Sequence, residues 1–128
     1  MARAADTNVI VRLIARDDVK QVAQAMAQAS AGLWVSHVVL VEVAWVLGSV
    51  YDVGARDVAK ALELLLEHPD LTIESPDVVR AALAQFRAQR GIDFADSLIV
   101  EIARKAGQGP VLTFDRAVAK LDGAELIR

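Results

Sequence analysis

No cysteine occurs among the 128 residues. Disulfides, thiolate nucleophiles and cysteine-ligated zinc are therefore excluded, and the absence agrees with a cytoplasmic setting. Histidine is nearly as scarce. His37 and His68 are the two present, nothing in the sequence pairs them, and catalysis built on imidazole is not expected. Three prolines and seven glycines beside 55% hydrophobic and 24% charged residues describe a compact globular chain rather than a disordered one. No stretch approaches the roughly 18 uncharged apolar residues of a membrane span. The first apolar run, residues 9–14, is broken by Arg12 and followed by Arg16, Asp17 and Asp18, so no secretion signal is expected and the protein reads as soluble. A basic excess is missing too. The net charge of −3 argues against a general nucleic-acid binder held by a basic surface. It leaves room for a nuclease whose acids are concentrated at its site and whose substrate is held by a few placed arginines and lysines.

What is present is an alternation of strand and helix signals along one domain, residues 1–128, without repeat or linker. Strands are predicted at residues 3–5, 33–36, 71–74, 111–114 and 124–127. Helices are predicted at residues 8–15, 18–30, 38–51, 55–67, 76–90 and 93–105, with a short one at 116–121. Pro76 suits a first helical position, and Gly91, Gly107 and Gly109 stop helices. Val19, Val22, Ala23, Met26 and Ala29 are spaced to form one apolar face of the second helix. The helix over 38–51 is apolar on every side, so it is expected to be buried within the domain or in a subunit interface. Short apolar strands separated by helices imply a mainly parallel sheet covered on both faces, with ligands bound beyond the carboxyl ends of the strands.

Asp6 and Asp115 follow predicted strands directly. Each has a plain structural explanation as a helix N-cap. Asp93 and Asp96, three apart at a helix start, are equally explained as N-cap and first-turn acid, with Asp93 capping and Asp96 left for chemistry. Glu42 is different. It falls well inside the most apolar helix, where neither capping nor the helix dipole accounts for it, and a buried arginine partner is its structural alternative. If these acids converged, repulsion would raise their pKa values and destabilise the fold unless a cation were present. Mg²⁺ takes oxygen ligands and retains several waters, so a few carboxylates suffice to hold it.

Four stretches carry a resemblance: residues 5–12 (ADTNVIVR), 41–47 (VEVAWVL), 92–99 (IDFADSLI) and 112–116 (LTFDR). In order, spacing and overall length the chain resembles the PIN domain, in particular the VapC-type toxins of toxin–antitoxin pairs. The opening, residues 1–5, is less β-branched than that family's usual first strand. The resemblance implies a three-layer α/β/α sandwich with a short, mainly parallel central sheet. It implies a Mg²⁺-dependent endoribonuclease, with Mn²⁺ able to substitute, cutting tRNA or rRNA. It also implies a homodimer silenced by a small cognate antitoxin. By position Asp6, Glu42, Asp96 and Asp115 match the family's acidic quartet, with Asp6, Asp96 and Asp115 as metal ligands. Asn8, Asp93 and Thr113 match supporting polar positions. Arg12, Arg16, Arg87, Arg90, Arg116 and Lys120 lie nearest these motifs and are read mostly as solvated surface charges. Two other classes are weighed: a catalytically inactive PIN-like binding module, and a receiver-like signalling domain that binds Mg²⁺. The second needs paired acids after the first strand, and Asp6 has no acidic neighbour.

Overall fold

The structure, a computed structural model, describes residues 3–128; residues 1 and 2, part of the expected first strand of the family pattern, lie outside the described residues. The chain belongs to the mixed α/β class expected, and it divides into two compact units, residues 1–74 and 75–128. Strands and helices alternate within each, and all strand pairing is parallel.

In the first unit, β1 (Arg3–Ala4), β2 (Leu33–Val35) and β3 (Leu71–Ile73) form a sheet in that order. Leu33 pairs with Arg3 on one side and Leu71 on the other, and Val35 pairs with Ile73. Helices α1 (Thr7–Ala15) and α2 (Val19–Ala29) connect β1 to β2, and α3 (His37–Ser49) and α4 (Ala55–Glu67) connect β2 to β3. Parallel neighbours need such crossovers, since a tight turn cannot reverse the chain twice. Three of the helix starts have side-chain caps, with Asp6, Asp18 and Ser36 each accepting a backbone N–H in the first turn. The core consists of Ile10 and Val11 of α1, Val35 of β2, Leu40 and Val43 of α3, and Leu62 of α4, each 0–1% exposed.

Two expectations fail here. The buried face of α2 is Val22, Ala25 and Ala29, while Val19 and Met26 are exposed and Ala23 points to solvent. Small Ala25 faces inward because it sits one turn from Val22 and Ala29, a register the apolar pattern alone left ambiguous. Nor is α3 buried all round within the single chain, the first of the two settings expected for it. Leu40, Val43 and Leu47 face the core, whereas Val38 is 67% and Trp45 64% exposed. At about 100° per residue, Glu42 lies on the side opposite Leu40, and it is exposed as well. The inference of a buried Glu42 is thereby corrected.

In the second unit, α5 (Pro76–Ala88) and α6 (Phe94–Lys105) pack on each other, with Phe86 and Phe94 edge-to-face at 6.0 Å. Strands β4 (Val111–Thr113) and β5 (Ala124–Leu126) pair with each other and flank a single 3₁₀ turn, Val118–Lys120. The helix expected over 116–121 thus contracts to that turn, and the expected single sheet is two separate parallel sheets among the described residues. β5 is entered through Gly123, whose φ is +98° and whose missing Cβ would stand 2.8 Å from Arg104 Nη2 and 2.9 Å from Val100 Cγ1. A side chain there would be strained and would collide, so glycine is required. Among the described residues no helix is long and apolar enough to cross a membrane.

Candidate active site

In the first unit the chain leaves β1 and turns into α1 at Asp6. The extended backbone of Asp6 lets its Oδ1 accept the Val9 N–H at 3.2 Å, the expected N-cap. One residue on, the Thr7 hydroxyl donates to Glu42 Oε2 at 2.7 Å. A hydroxyl bonded to an ionised carboxylate makes a short, strong contact, and this one brings Glu42 of α3 beside the Asp6–Thr7 turn. The partner of Glu42 is therefore a hydroxyl at the rim of the sheet, and no arginine is involved. Thr7 was missed by the sequence reading, which placed the supporting role on Asn8. Asn8 is exposed, and with Asp6 it lines a groove of about 650 Å³ bounded by β1, α1 and α2.

The α1–α2 corner is tied to the end of α3 by charge. Arg12 Nη1 donates to Asp17 and, at 3.3 Å, to the Tyr51 hydroxyl, while Tyr51 donates to Asp17 Oδ2 at 2.9 Å. The Tyr51 hydroxyl first, and Arg12 with it, hold the Asp17 carboxyl below its usual range, and Asp17 raises the Arg12 guanidinium. Arg12, one of six basic residues read mostly as solvated charges, is a structural clamp. His37 is likewise engaged: Glu74 Oε1 accepts its N–H at 2.8 Å, and its ring Nε2 lies 2.7 Å from the Glu74 carbonyl. Both contacts, the first made by the His37 backbone N–H, fix the start of α3 against the end of β3, and the second engages the imidazole through Nε2. His68 is half-buried at the end of α4, where its Nδ1 accepts the Asp70 N–H at 3.1 Å.

In the second unit Asp93 is the N-cap of α6, and Asp96 at the third helical position reaches back so that its Oδ2 accepts the Asp93 N–H at 2.8 Å. Asp93 caps as expected, and Asp96 takes part in the cap through Oδ2. Both aspartates belong to one capping arrangement. The exposed Asp115 follows β4 by two residues; its Oδ1 accepts the Ala117 and Val118 N–H groups at 2.8 and 3.2 Å, and its own N–H donates to Thr113 Oγ1 at 3.0 Å. These bonds fix backbone and carboxylate together, so the Asp115 side chain is rigid although exposed.

Behind this lies a network that sequence reading did not single out. Glu101, 7% exposed on α6, accepts from Gln85 Nε2 at 2.6 Å and Arg104 Nε at 3.0 Å. Arg104 Nη2 and Gln85 Nε2 also donate to the Asp122 carbonyl at 2.6 and 3.0 Å, and Gln85 Oε1 accepts the Asp122 N–H. The arrangement locks the entry of β5, and so the strand that pairs with β4.

The donor chemistry fits a hard divalent cation. The acids singled out from sequence present carboxylate oxygens alone, cysteine is absent, and both imidazoles are held by backbone groups. Among the described residues no three Asp, Glu or His side chains are gathered into a ligating cluster.

Residues 4–124 match the sequence profile of the PIN domain, a span that runs through both units and nearly the whole chain. No curated protein matches the chain individually.

Proposed function

The chain belongs to the PIN domain family, whose members are generally nucleases using divalent metal ions, and on that premise we propose that it is a Mg²⁺-dependent endoribonuclease. The observation that carries this reading is the family match over residues 4–124, with the four acids of the expected quartet falling inside it. Because the match passes through both units, the chain is read as one nuclease domain. The finer assignment, the toxin of a type II toxin–antitoxin pair working in the cytoplasm as a homodimer with a small antitoxin partner, rests on the resemblance of the four motifs.

Asp6, Asp96 and Asp115 would hold the cation, Mg²⁺ or Mn²⁺. When bound it neutralises phosphate charge and acidifies water near neutral pH. Glu42 takes the proton of the attacking water on its carboxylate, and the Thr7 hydroxyl at 2.7 Å holds that carboxylate in one rotamer. The water oxygen bonds to phosphorus while the opposite P–O bond breaks, and the leaving oxygen is protonated from solvent. Asp93 and Thr113 position Asp96 and Asp115 through the backbone bonds described above.

The test is cleavage of total RNA, tRNA and rRNA by purified protein with Mg²⁺, with Mn²⁺ and with EDTA, beside Asp6→Asn and Asp96→Asn. Metal-dependent cleavage lost by about 10²-fold or more in both variants is the expected outcome. Unchanged cleavage in both variants would remove the carboxylates from the mechanism. Failure of every RNA to be cut, with no Mg²⁺ binding by calorimetry, would leave an inactive binding module as the better reading.

A further inference from the structure

The groove of about 650 Å³ beside Asp6 has an unusual lining for a chain that carries 17 acidic residues. One wall is α2, which has no carboxylate anywhere between Val19 and Ala29. Gln21, Gln24 and Gln28 all line the groove. At about 100° per residue these three amides fall within roughly 60° of arc, a row along one helix face. All three are exposed. The groove also takes in Arg3, Asn8 and, at one side, Asp6. Arg3 donates from Nη2 to Gln28 Oε1, which fixes a cation and an amide together. The other guanidinium of the lining, Arg12, is already neutralised by Asp17.

Resting on the nuclease reading above, we infer that this groove holds single-stranded RNA next to the scissile phosphate and that the α2 glutamines read base edges, with adenine favoured. Three features of the lining lead there. Its charge is close to balanced, so it is not a phosphate trap, whereas carboxamides offer a donor and an acceptor side by side, the pattern of a base edge. Glutamine pairs with the N6 and N7 groups of adenine by two hydrogen bonds. A single strand presents those edges, while the deep, narrow major groove of an RNA duplex hides them. The volume lies inside the range of about 300–1,000 Å³ typical of ligand clefts. The lining contains no aromatic ring, so discrimination comes from hydrogen bonds rather than stacking. Arg3 contributes sequence-independent attraction.

The experiment measures binding of fluorescein-labelled A8, U8 and C8 RNA by anisotropy, using the full chain in EDTA so that nothing is cut. A preference of about tenfold for A8, the discrimination one bidentate pair supplies, is expected. It should fall to near unity in Gln24→Ala and in the triple Gln21→Ala/Gln24→Ala/Gln28→Ala variant. Arg3→Ala should weaken all three RNAs alike and leave the ratio intact. Alanine is the best helix former and these positions are exposed, so circular dichroism should report unchanged folding; the single Gln24→Ala carries the test if the triple variant does not fold. No preference for A8, or a preference untouched by Gln24→Ala and the triple variant, overturns the inference. Parallel cleavage assays separate the two readings. RNA cut with a base preference indifferent to the glutamines sinks the groove and keeps the nuclease. An A8 preference that depends on the glutamines in a protein that cuts nothing sinks the nuclease and keeps the groove.

Discussion

Glu42 and Thr7 show what one hydroxyl does for one carboxylate. An exposed glutamate on a helix samples several rotamers, and a fixed partner at 2.7 Å selects one of them. A hydrogen bond to a charged group is worth about 1.5–3 kcal/mol. If Glu42 is the proton acceptor, Thr7→Val should lower kcat by about tenfold or more with KM little changed, and Thr7→Ser should restore most of it. Glu42→Gln should cost about 10²–10⁴-fold. A fall in KM-limited binding with kcat intact would show that Glu42 serves binding instead. The residue roles were legible in part. Asp6 and Asp115 could be placed at strand ends because capping acids follow strands in predictable ways. Thr7 could not, because its importance comes from a residue 35 positions away in sequence, a separation no local pattern encodes.

Among elements, the tie between α1, the α1–α2 corner and the end of α3 depends on Asp17. Its carboxyl is held below the ordinary carboxylate range by the Tyr51 hydroxyl and Arg12. A group with a depressed folded-state pKa contributes stability that is present above its unfolded value and disappears as pH falls through the folded one. The native protein should therefore have a higher urea midpoint than Asp17→Asn at pH 6, with the gap closing as pH drops below about 4, near the ordinary carboxylate range. Tyr51→Phe should narrow the gap from the same side. A gap independent of pH would mean that Asp17 acts through packing or capping and not through its charge. The same scale explains α3. Its sequence is so uniformly apolar that no pattern says which stripe faces inward. The crossover between β2 and α4 decides it, putting Leu40, Val43 and Leu47 inside and leaving Val38 and Trp45 exposed. By contrast α4, α5 and α6 begin and end close to where Gly54, Pro76 and Gly107 predicted, because these residues act on backbone conformation within a single turn.

For the whole molecule the proposed cation makes a prediction about stability. A ligand that binds the native state alone stabilises it by about 2.7 kcal/mol at 100 times its Kd. Mg²⁺ or Mn²⁺ should thus raise Tm by several degrees in a concentration-dependent way, EDTA should reverse the rise, and Asp6→Asn should blunt it. A Tm indifferent to both cations, in native protein and variant alike, would contradict a carboxylate-held metal. The division of labour between chain and fold is then clear in physical terms. Sequence alone determined the α/β class, the parallel pairing and the helix stops, since these follow from composition, periodicity and local backbone preference, while the family came from the order and spacing of four short motifs. Tertiary structure decided the face of α3, the pairing of strands into two sheets, the hydroxyl beside Glu42, the Arg12–Tyr51–Asp17 clamp and the glutamine-lined groove. Each of these depends on contacts between residues distant in the chain, and such contacts form only when burial of the shared core brings their elements together.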